Sequence, residues 1–343
     1  CGTFLTRRSV LDSVHAFSSG VLGHIFLAVL GVITVFSLYL GISRRKLLQD
    51  EENAEEFGVS DWLSKWTSIQ AANVLFLLIL VGVFFGTMFP LLSRTFGGRE
   101  IILDESFYHQ ISIPLFLIAL FIMGLSPLCD WQATQPKLLL RKLWIPCLAG
   151  IITAVFSYRI SDGHFLGSLS FAVGVFGLAS HVQEIVGKCH KRKLGAYLVH
   201  IGIIFMLIGI TGSSIFVEDV FQTVNPGDTV RIGDYALEYP GLQVQWGITH
   251  YTVSTALKIY KGDRSLGELV SKKTFYDGQG QPSTDVGIFS TLKEDLYLNL
   301  AGWQSQTAQL HIQRFALVRR IWFGSFVIYL GMAVIMIPVR KRS

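Results

Sequence analysis

Seven separate apolar blocks dominate this sequence. With approximate ends they are 20–42, 69–92, 110–128, 143–158, 165–187, 194–217 and 318–338. A helix needs about 20 mostly apolar residues to cross the hydrocarbon core of a bilayer. The blocks meet or approach that length, and the fourth is the shortest. None holds Asp, Lys or Arg well inside; Glu184 and the pair Arg319–Arg320 sit near block ends. A single soluble globule has no interior for seven such segments. Only 15% of the residues are charged, against roughly 25% in soluble domains. The 13% aromatic content and the low charge also exclude a disordered chain. The expected fold is a polytopic α-helical membrane protein with about seven transmembrane helices.

The positive charges set its direction. Cationic loops stay on the cytoplasmic side. One alternating set of short loops holds fourteen Lys and Arg, among them Arg44–Arg45–Lys46, Lys137, Arg141, Lys142 and Lys188 to Lys193. The other set holds five: Arg7, Arg8, Arg94, Arg99 and Arg159. The N-terminal segment 1–19 is therefore expected outside, and the C-terminus in the cytoplasm. The net charge of +5 reads as a topology signal, with no sign of a nucleic-acid partner.

The largest polar stretch falls on the outer side, just before the last block. It reads as strands. Leu257 and Ile259 alternate with Lys258 and Tyr260, Leu296, Leu298 and Leu300 with Tyr297 and Asn299, and Leu310 and Ile312 with His311. Turn residues separate them at Asn225-Pro226-Gly227-Asp228, Gly262-Asp263 and Asp277-Gly278-Gln279-Gly280. The organisation expected is a membrane domain over 1–217 with six helices, a β-rich extracytoplasmic domain over 218–317, and a last helix with a basic tail over 318–343. The acidic run Asp50–Glu56 reads as a solvated linker or helix face.

Cys1, Cys129, Cys147 and Cys189 lack metal or redox spacing, so neither a zinc site nor a disulfide framework is expected. The chain opens on Cys1-Gly2-Thr3-Phe4 without a signal peptide, which suggests a fragment or a split protein.

Ionisable groups at membrane depth are costly and usually functional. Here they are histidines: His24, His181 and His200. The lack of buried Asp, Lys and Arg argues against a proton-coupled pump or a voltage sensor. A neutral imidazole suits haem iron. His200 shares a helix face with Ala196, Ile203 and Leu207, while Gly195, Gly202 and Gly209 recur every seven residues on roughly the opposite face. Close helix approach is expected at the glycines, and a different partner at His200. That partner is either a neighbouring helix, through a hydrogen bond, or a metal. His15 stands just outside the first block and reads either as an interfacial histidine or as a haem ligand. His24 reads as a lipid-shielded structural residue. His181 and Glu184 form an i,i+3 pair suited to an interhelical polar contact.

Several separated pieces resemble one family in order. They are Gly2-Thr3-Phe4-Leu5-Thr6-Arg7 with Ser13-Val14-His15-Ala16-Phe17; Gly86-Thr87-Met88-Phe89-Pro90-Leu91; and Lys191-Arg192-Lys193-Leu194-Gly195-Ala196-Tyr197-Leu198-Val199-His200. Pro226-Gly227-Asp228, Gln281-Pro282-Ser283-Thr284-Asp285-Val286 and Asp295-Leu296-Tyr297-Leu298 follow. Together they resemble the C-terminal portion of the CcmF/NrfE family of cytochrome c-type biogenesis proteins, haem lyase subunits. The family's Trp-rich haem-contact motif is absent from this sequence, because it lies upstream together with the partner histidines. Arg8-Ser9 and Glu105-Ser106-Phe107-Tyr108 depart from the family pattern.

The resemblance implies that His15 is an axial ligand of the haem to be delivered on the outer face. It implies that His200 is an axial ligand of a haem b held in the membrane. It implies a component that helps move haem from a haem chaperone (CcmE-like) to the CxxCH segment of apocytochrome c. Other implied partners are apocytochrome-handling proteins (CcmH/CcmI-like) and the upstream half of a split chain. The implied location is the bacterial inner membrane, with the β-domain periplasmic. No catalytic side chain is expected of this chain, because the substrate supplies its own thiols. Arg320, beside Arg319 at the outer end of the last block, reads either as a partner for haem propionates or as a lipid-phosphate anchor. The competing reading is a multi-span solute or haem transporter with a receptor domain, and a weaker one is a scaffold without haem.

Overall fold

The computed structural model describes residues 21–44, 62–131, 133–188, 191–278 and 282–337. His15 and the acidic run Asp50–Glu56 lie outside the described residues. The chain divides into two compact units, residues 1–122 with 129–136, and 123–128 with 137–343.

The first unit contains α1 (Val21–Ser43), α2 (Lys65–Gly97) and most of α3 (Glu105–Leu125). Local chemistry fixes the ends of α2. Ser64 is its N-cap, and the Ser64 hydroxyl oxygen accepts a hydrogen bond from the Thr67 N–H at 3.1 Å. Gly98 ends it in the left-handed region at φ 67°, with its N–H donated to the Arg94 carbonyl. Two glycines let α2 approach α3 closely. A Cβ on Gly82 would stand 2.9 Å from Ile111, and one on Gly86 2.7 Å from Phe107.

The second unit holds α4 (Pro136–Ile160, from its second residue), α5 (Phe165–Lys188), α6 (Lys191–Ile215), a β-sandwich and α7 (Arg319–Met336). The fourth helix is longer than its apolar block suggests. It starts on Pro136, whose missing N–H costs nothing at a first helical position, and it carries Lys137, Arg141 and Lys142 in its first turns. Among the described residues, six helices, α2 to α7, are long and apolar enough to cross a membrane. Most of their apolar surface is exposed within the chain, as lipid-facing helices require.

The sandwich runs from β1 (Val217–Val224) to β10 (Thr307–Ala316). One sheet has the order β1-β10-β9-β8, where β8 is Gly287–Ser290 and β9 is Glu294–Gln304. The other has the order β2-β3-β5-β6-β7, with β4 (Gln243–Trp246) on the edge of β5. The strands β2 (Thr229–Ile232), β3 (Tyr235–Glu238), β5 (His250–Lys261), β6 (Arg264–Tyr276) and β7 (Ser283–Asp285) complete it. All pairings are antiparallel.

The alternation read from the sequence puts one face of each strand inside. Leu257, Ile259, Leu296, Leu298, Leu300, Leu310 and Ile312 are all buried in one core between the sheets. Each such side chain contributes about 1.5–3 kcal/mol relative to exposure. At the expected turn positions, Gly227 at φ 94°, Gly262 at 59° and Gly278 at 79° adopt the backbone that glycine tolerates best. The sandwich is inserted directly between α6 and α7. β1 begins two residues after α6, and β10 ends three residues before α7.

Candidate functional site

Two antiparallel helices bring the membrane histidines together. Small residues on α5 admit large ones from α6. Gly167 meets Ile215, Gly174 meets Leu207 and Ile208, and Gly177 meets Ile204. One turn further along the same seam, His181 of α5 meets His200 of α6. Its Nε2 lies 2.9 Å from His200 Nδ1, with the rings edge to face at 5.0 Å between centroids. The other nitrogen of His181, Nδ1, lies 2.7 Å from the Gly177 carbonyl oxygen. Tyr197 packs edge-on against the His181 ring. His181 is fully buried. Counted from the helix ends at Lys188 and Lys191, the pair lies about 10–14 Å into the membrane-spanning length.

The hydrogen bonds fix where the protons are. A carbonyl oxygen can only accept, so His181 Nδ1 carries a proton. Charge is expensive at this depth, so the ring is neutral and its Nε2 bears a lone pair. His200 Nδ1 must then donate to it, which leaves the lone pair of neutral His200 on Nε2. Among the described residues, nothing hydrogen-bonds to that Nε2.

The interhelical contact expected of His181 is therefore present, and it does not share a partner with Glu184. Glu184 turns to α4, where Lys142 Nζ stands 3.4 Å away. Gln183 donates to the Lys142 carbonyl beside it. The sequence paired His181 with Glu184 but not with His200. The missed signal was depth. The two histidines are nearly equidistant from the facing helix ends at Lys188 and Lys191, so two antiparallel helices place them at one level.

The glycine face of α6 meets a different helix, as its position opposite His200 suggests. A Cβ on Gly195 would lie 2.7 Å from the Gly331 carbonyl, one on Gly202 2.6 Å from that of Gly324, and one on Gly209 2.8 Å from the Ile321 nitrogen. α7 thus locks against α6 on one side while His200 faces α5 on the other.

Arg319 and Arg320 are exposed at the start of α7. The Arg319 guanidinium reaches the Ser290 carbonyl of the sandwich at 3.5 Å. The Arg320 backbone packs on Gly209, about 13 Å along α6 from the level of His200. His24 lies in α1. No group of three or more His, Cys, Asp or Glu suited to a metal ion occurs among the described residues.

Residues 216–323 match the family described as CcmF C-terminal beta-sandwich. The likeness extends over the membrane helices. CcmF of Pseudomonas aeruginosa is 26% identical over 99% of this chain and 53% of its own length.

The chain is similar to CcmF proteins along its whole length, and residues 216–323 carry the CcmF C-terminal sandwich.

It is also 24% identical to CcmF of Escherichia coli over 100% of this chain and 54% of that protein. To NrfE of Haemophilus influenzae it is 23% identical over the same shares. The chain spans about half the length of the curated relatives it matches, and it corresponds to the C-terminal portion. A solved structure of a cytochrome c haem lyase, CcmF, shares the fold, with a TM-score of 0.69 over 81% of this chain and 46% of that one, at 18% identity. The combination of apolar helices with a sandwich before the last one is thus the CcmF arrangement in a multi-pass membrane protein.

Proposed function

We propose that the chain is part of a cytochrome c maturation haem lyase of a bacterial inner membrane, with the sandwich on the periplasmic side. In this reading His200 is an axial ligand of a b-type haem within the helices, and His15 an axial ligand of the haem being delivered. The observation that carries it is the state of His200. It presents a neutral ring, held by one nitrogen to His181, with a lone pair on the other. That is the donor a haem iron takes, so the residues present fit the group.

The attachment reaction asks little nucleophilic chemistry of the chain. Each thiol of the apocytochrome CxxCH segment adds across a vinyl group of the delivered haem. Sulfur bonds to one vinyl carbon, and the proton goes to the other. The chain contributes position. His15 would hold the delivered haem by its iron, and the sandwich would guide the apocytochrome or the haem chaperone to the outer surface. A b-type haem bound at His200 would supply electrons that keep the delivered iron ferrous. Arg320, exposed at the start of α7, would pair with a haem propionate or with a lipid phosphate.

The transporter reading draws no support from the helices. α2, α3 and α4 run unbroken through Pro90, Pro114 and Pro146, without the discontinuous segments that mark many transport sites.

The deciding experiment is the reduced-minus-oxidised visible spectrum of the intact membrane complex, wild type against His200→Ala. The wild type should show a b-type haem and the variant should lack it. Equal haem in both would remove His200 from the site.

A further inference from the structure

We propose that His181 is the positioning residue of the membrane haem site, setting the tautomer, ring orientation and donor strength of His200. The proposal rests on the reading of His200 as an axial ligand. It adds a residue that touches neither the iron nor the substrate.

The geometry excludes the simpler alternative, in which both histidines bind one iron. Metal–imidazole bonds run about 2.0–2.1 Å, so two nitrogens on opposite sides of an ion stand about 4 Å apart. His181 Nε2 and His200 Nδ1 are 2.9 Å apart. That is a hydrogen bond, with no room for a metal between them.

The chain of bonds has one direction. The Gly177 carbonyl, fixed in the α5 backbone, accepts from His181 Nδ1 at 2.7 Å. His181 Nε2 accepts in turn from His200 Nδ1. A backbone carbonyl thereby decides, through two rings, that the lone pair of His200 is on Nε2. Without His181, His200 would be free to carry its proton on either nitrogen and to rotate about its side-chain bonds. An acceptor behind a ligating imidazole also makes the ring more electron-rich, which favours ferric over ferrous iron.

Packing supports the assignment. His181 is fully buried, and Tyr197 closes the edge of its ring. Gly177 also lets Ile204 of α6 approach, with its Cδ1 3.1 Å from where a Cβ would be. The same glycine thus orders the proton and lets the two helices close at the level of the histidines.

The test compares wild type, His181→Phe, His181→Gln and His200→Ala. The first readout needs no haem. Nitrogen-15 NMR of histidine-labelled chain in lipid nanodiscs should show His200 protonated on Nδ1 in wild type and in His181→Gln, whose side-chain carbonyl replaces the acceptor. His181→Phe should show a mixture. The second readout is haem in the intact complex. His181→Phe should bind it about 10–100-fold more weakly and with a raised midpoint potential, and His181→Gln should recover both. Two results overturn the proposal while His200→Ala still loses haem. One is a His200 protonated on Nε2 in wild type; the other is a His181→Phe protein with unchanged affinity and potential. Full haem in His200→Ala overturns the ligand reading itself, and the proposal falls with it.

Discussion

Gly202 and Gly324 face each other so closely that each backbone carbonyl occupies the place of the other's side chain. A Cβ on Gly202 would stand 2.6 Å from the Gly324 oxygen, and one on Gly324 2.5 Å from the Gly202 oxygen. Gly195 and Gly331 repeat the relationship at 2.7 Å in both directions. In a bilayer, where apolar side chains gain little by leaving lipid, such close backbone contact is the main source of helix affinity. It also fixes the rotation of α6, because a helix locked to α7 by its glycines must show His200 to α5.

Gly202→Leu should therefore destabilise the protein by about 1–3 kcal/mol or more, as overpacking does. The melting temperature in detergent should fall. Gly187→Ala on α5, where nothing lies within 4 Å of the new Cβ, should leave it equal or slightly raised. Equal melting of wild type and Gly202→Leu would show that the seam contributes nothing to stability.

Arg314 is the hinge of a charge cluster at the membrane-proximal end of the sandwich. Its guanidinium binds Glu218 on β1 and, at 2.8 Å, Glu294 on β9. Tyr235 donates to the other Glu294 oxygen at 2.9 Å. Burial, with help from Glu294, pushes the Tyr235 hydroxyl up to about 12. Arg314→Met should leave the largely buried Glu294 carboxylate without its cation. Complete burial would cost about 3–5 kcal/mol; the partial exposure here reduces that to about 1–3 kcal/mol. A thermal melt of the full chain reads it, and an unchanged melt would mean that water replaces the arginine at no cost.

The sandwich was the most legible part of the sequence. Period-two alternation at Leu296, Leu298 and Leu300 and glycines at the turns act locally, so they survive any choice of neighbour. The helices were legible by composition, but their ends were not. Lys137, Arg141 and Lys142 kept the first turns of α4 out of its apolar block, although backbone hydrogen bonding continues there and long cationic side chains reach for the interface. The glycine face of α6 was legible from its seven-residue spacing, but which helix it meets was not, because that depends on how the chain returns after the sandwich. For the same reason the sequence does not choose between a helix and a metal as the partner of His200. The structure supplies His181 on one nitrogen and leaves the other with a lone pair.

Acid stability should carry the signature of Asp219. His311 Nε2 donates to its carboxylate at 2.9 Å, and Gln313 donates to the second oxygen at 2.9 Å. These bonds, that of His311 foremost, hold the Asp219 carboxyl below its ordinary value. A carboxyl lowered in the folded state adds stability that is complete above its unfolded value of about 3.9 and is lost as pH falls through the folded value. Stability should therefore drop more steeply below about pH 4 in wild type than in Asp219→Asn. The side chain is half exposed, so the difference should stay within about 1 kcal/mol. Melting curves between pH 2 and pH 6 measure it, and parallel curves would count against the contact.

The orientation proposed from the loops can be checked with single cysteines. With fourteen Lys and Arg on one set of short loops against five on the other, the proposed orientation has the sandwich outside, because moving cationic loops across the membrane is disfavoured. In a chain freed of its own cysteines, Ser283→Cys on the exposed strand β7 should react with an impermeant maleimide in right-side-out spheroplasts. Lys137→Cys, exposed at the start of α4, should react only after the membrane is opened. The reverse pattern would put the sandwich in the cytoplasm, away from any periplasmic apocytochrome, and would remove the proposed guiding role with it. The expected pattern makes that role testable in turn. A chain whose α6 and α7 are joined by a short linker in place of 218–317 should still insert but should fail to mature cytochrome c.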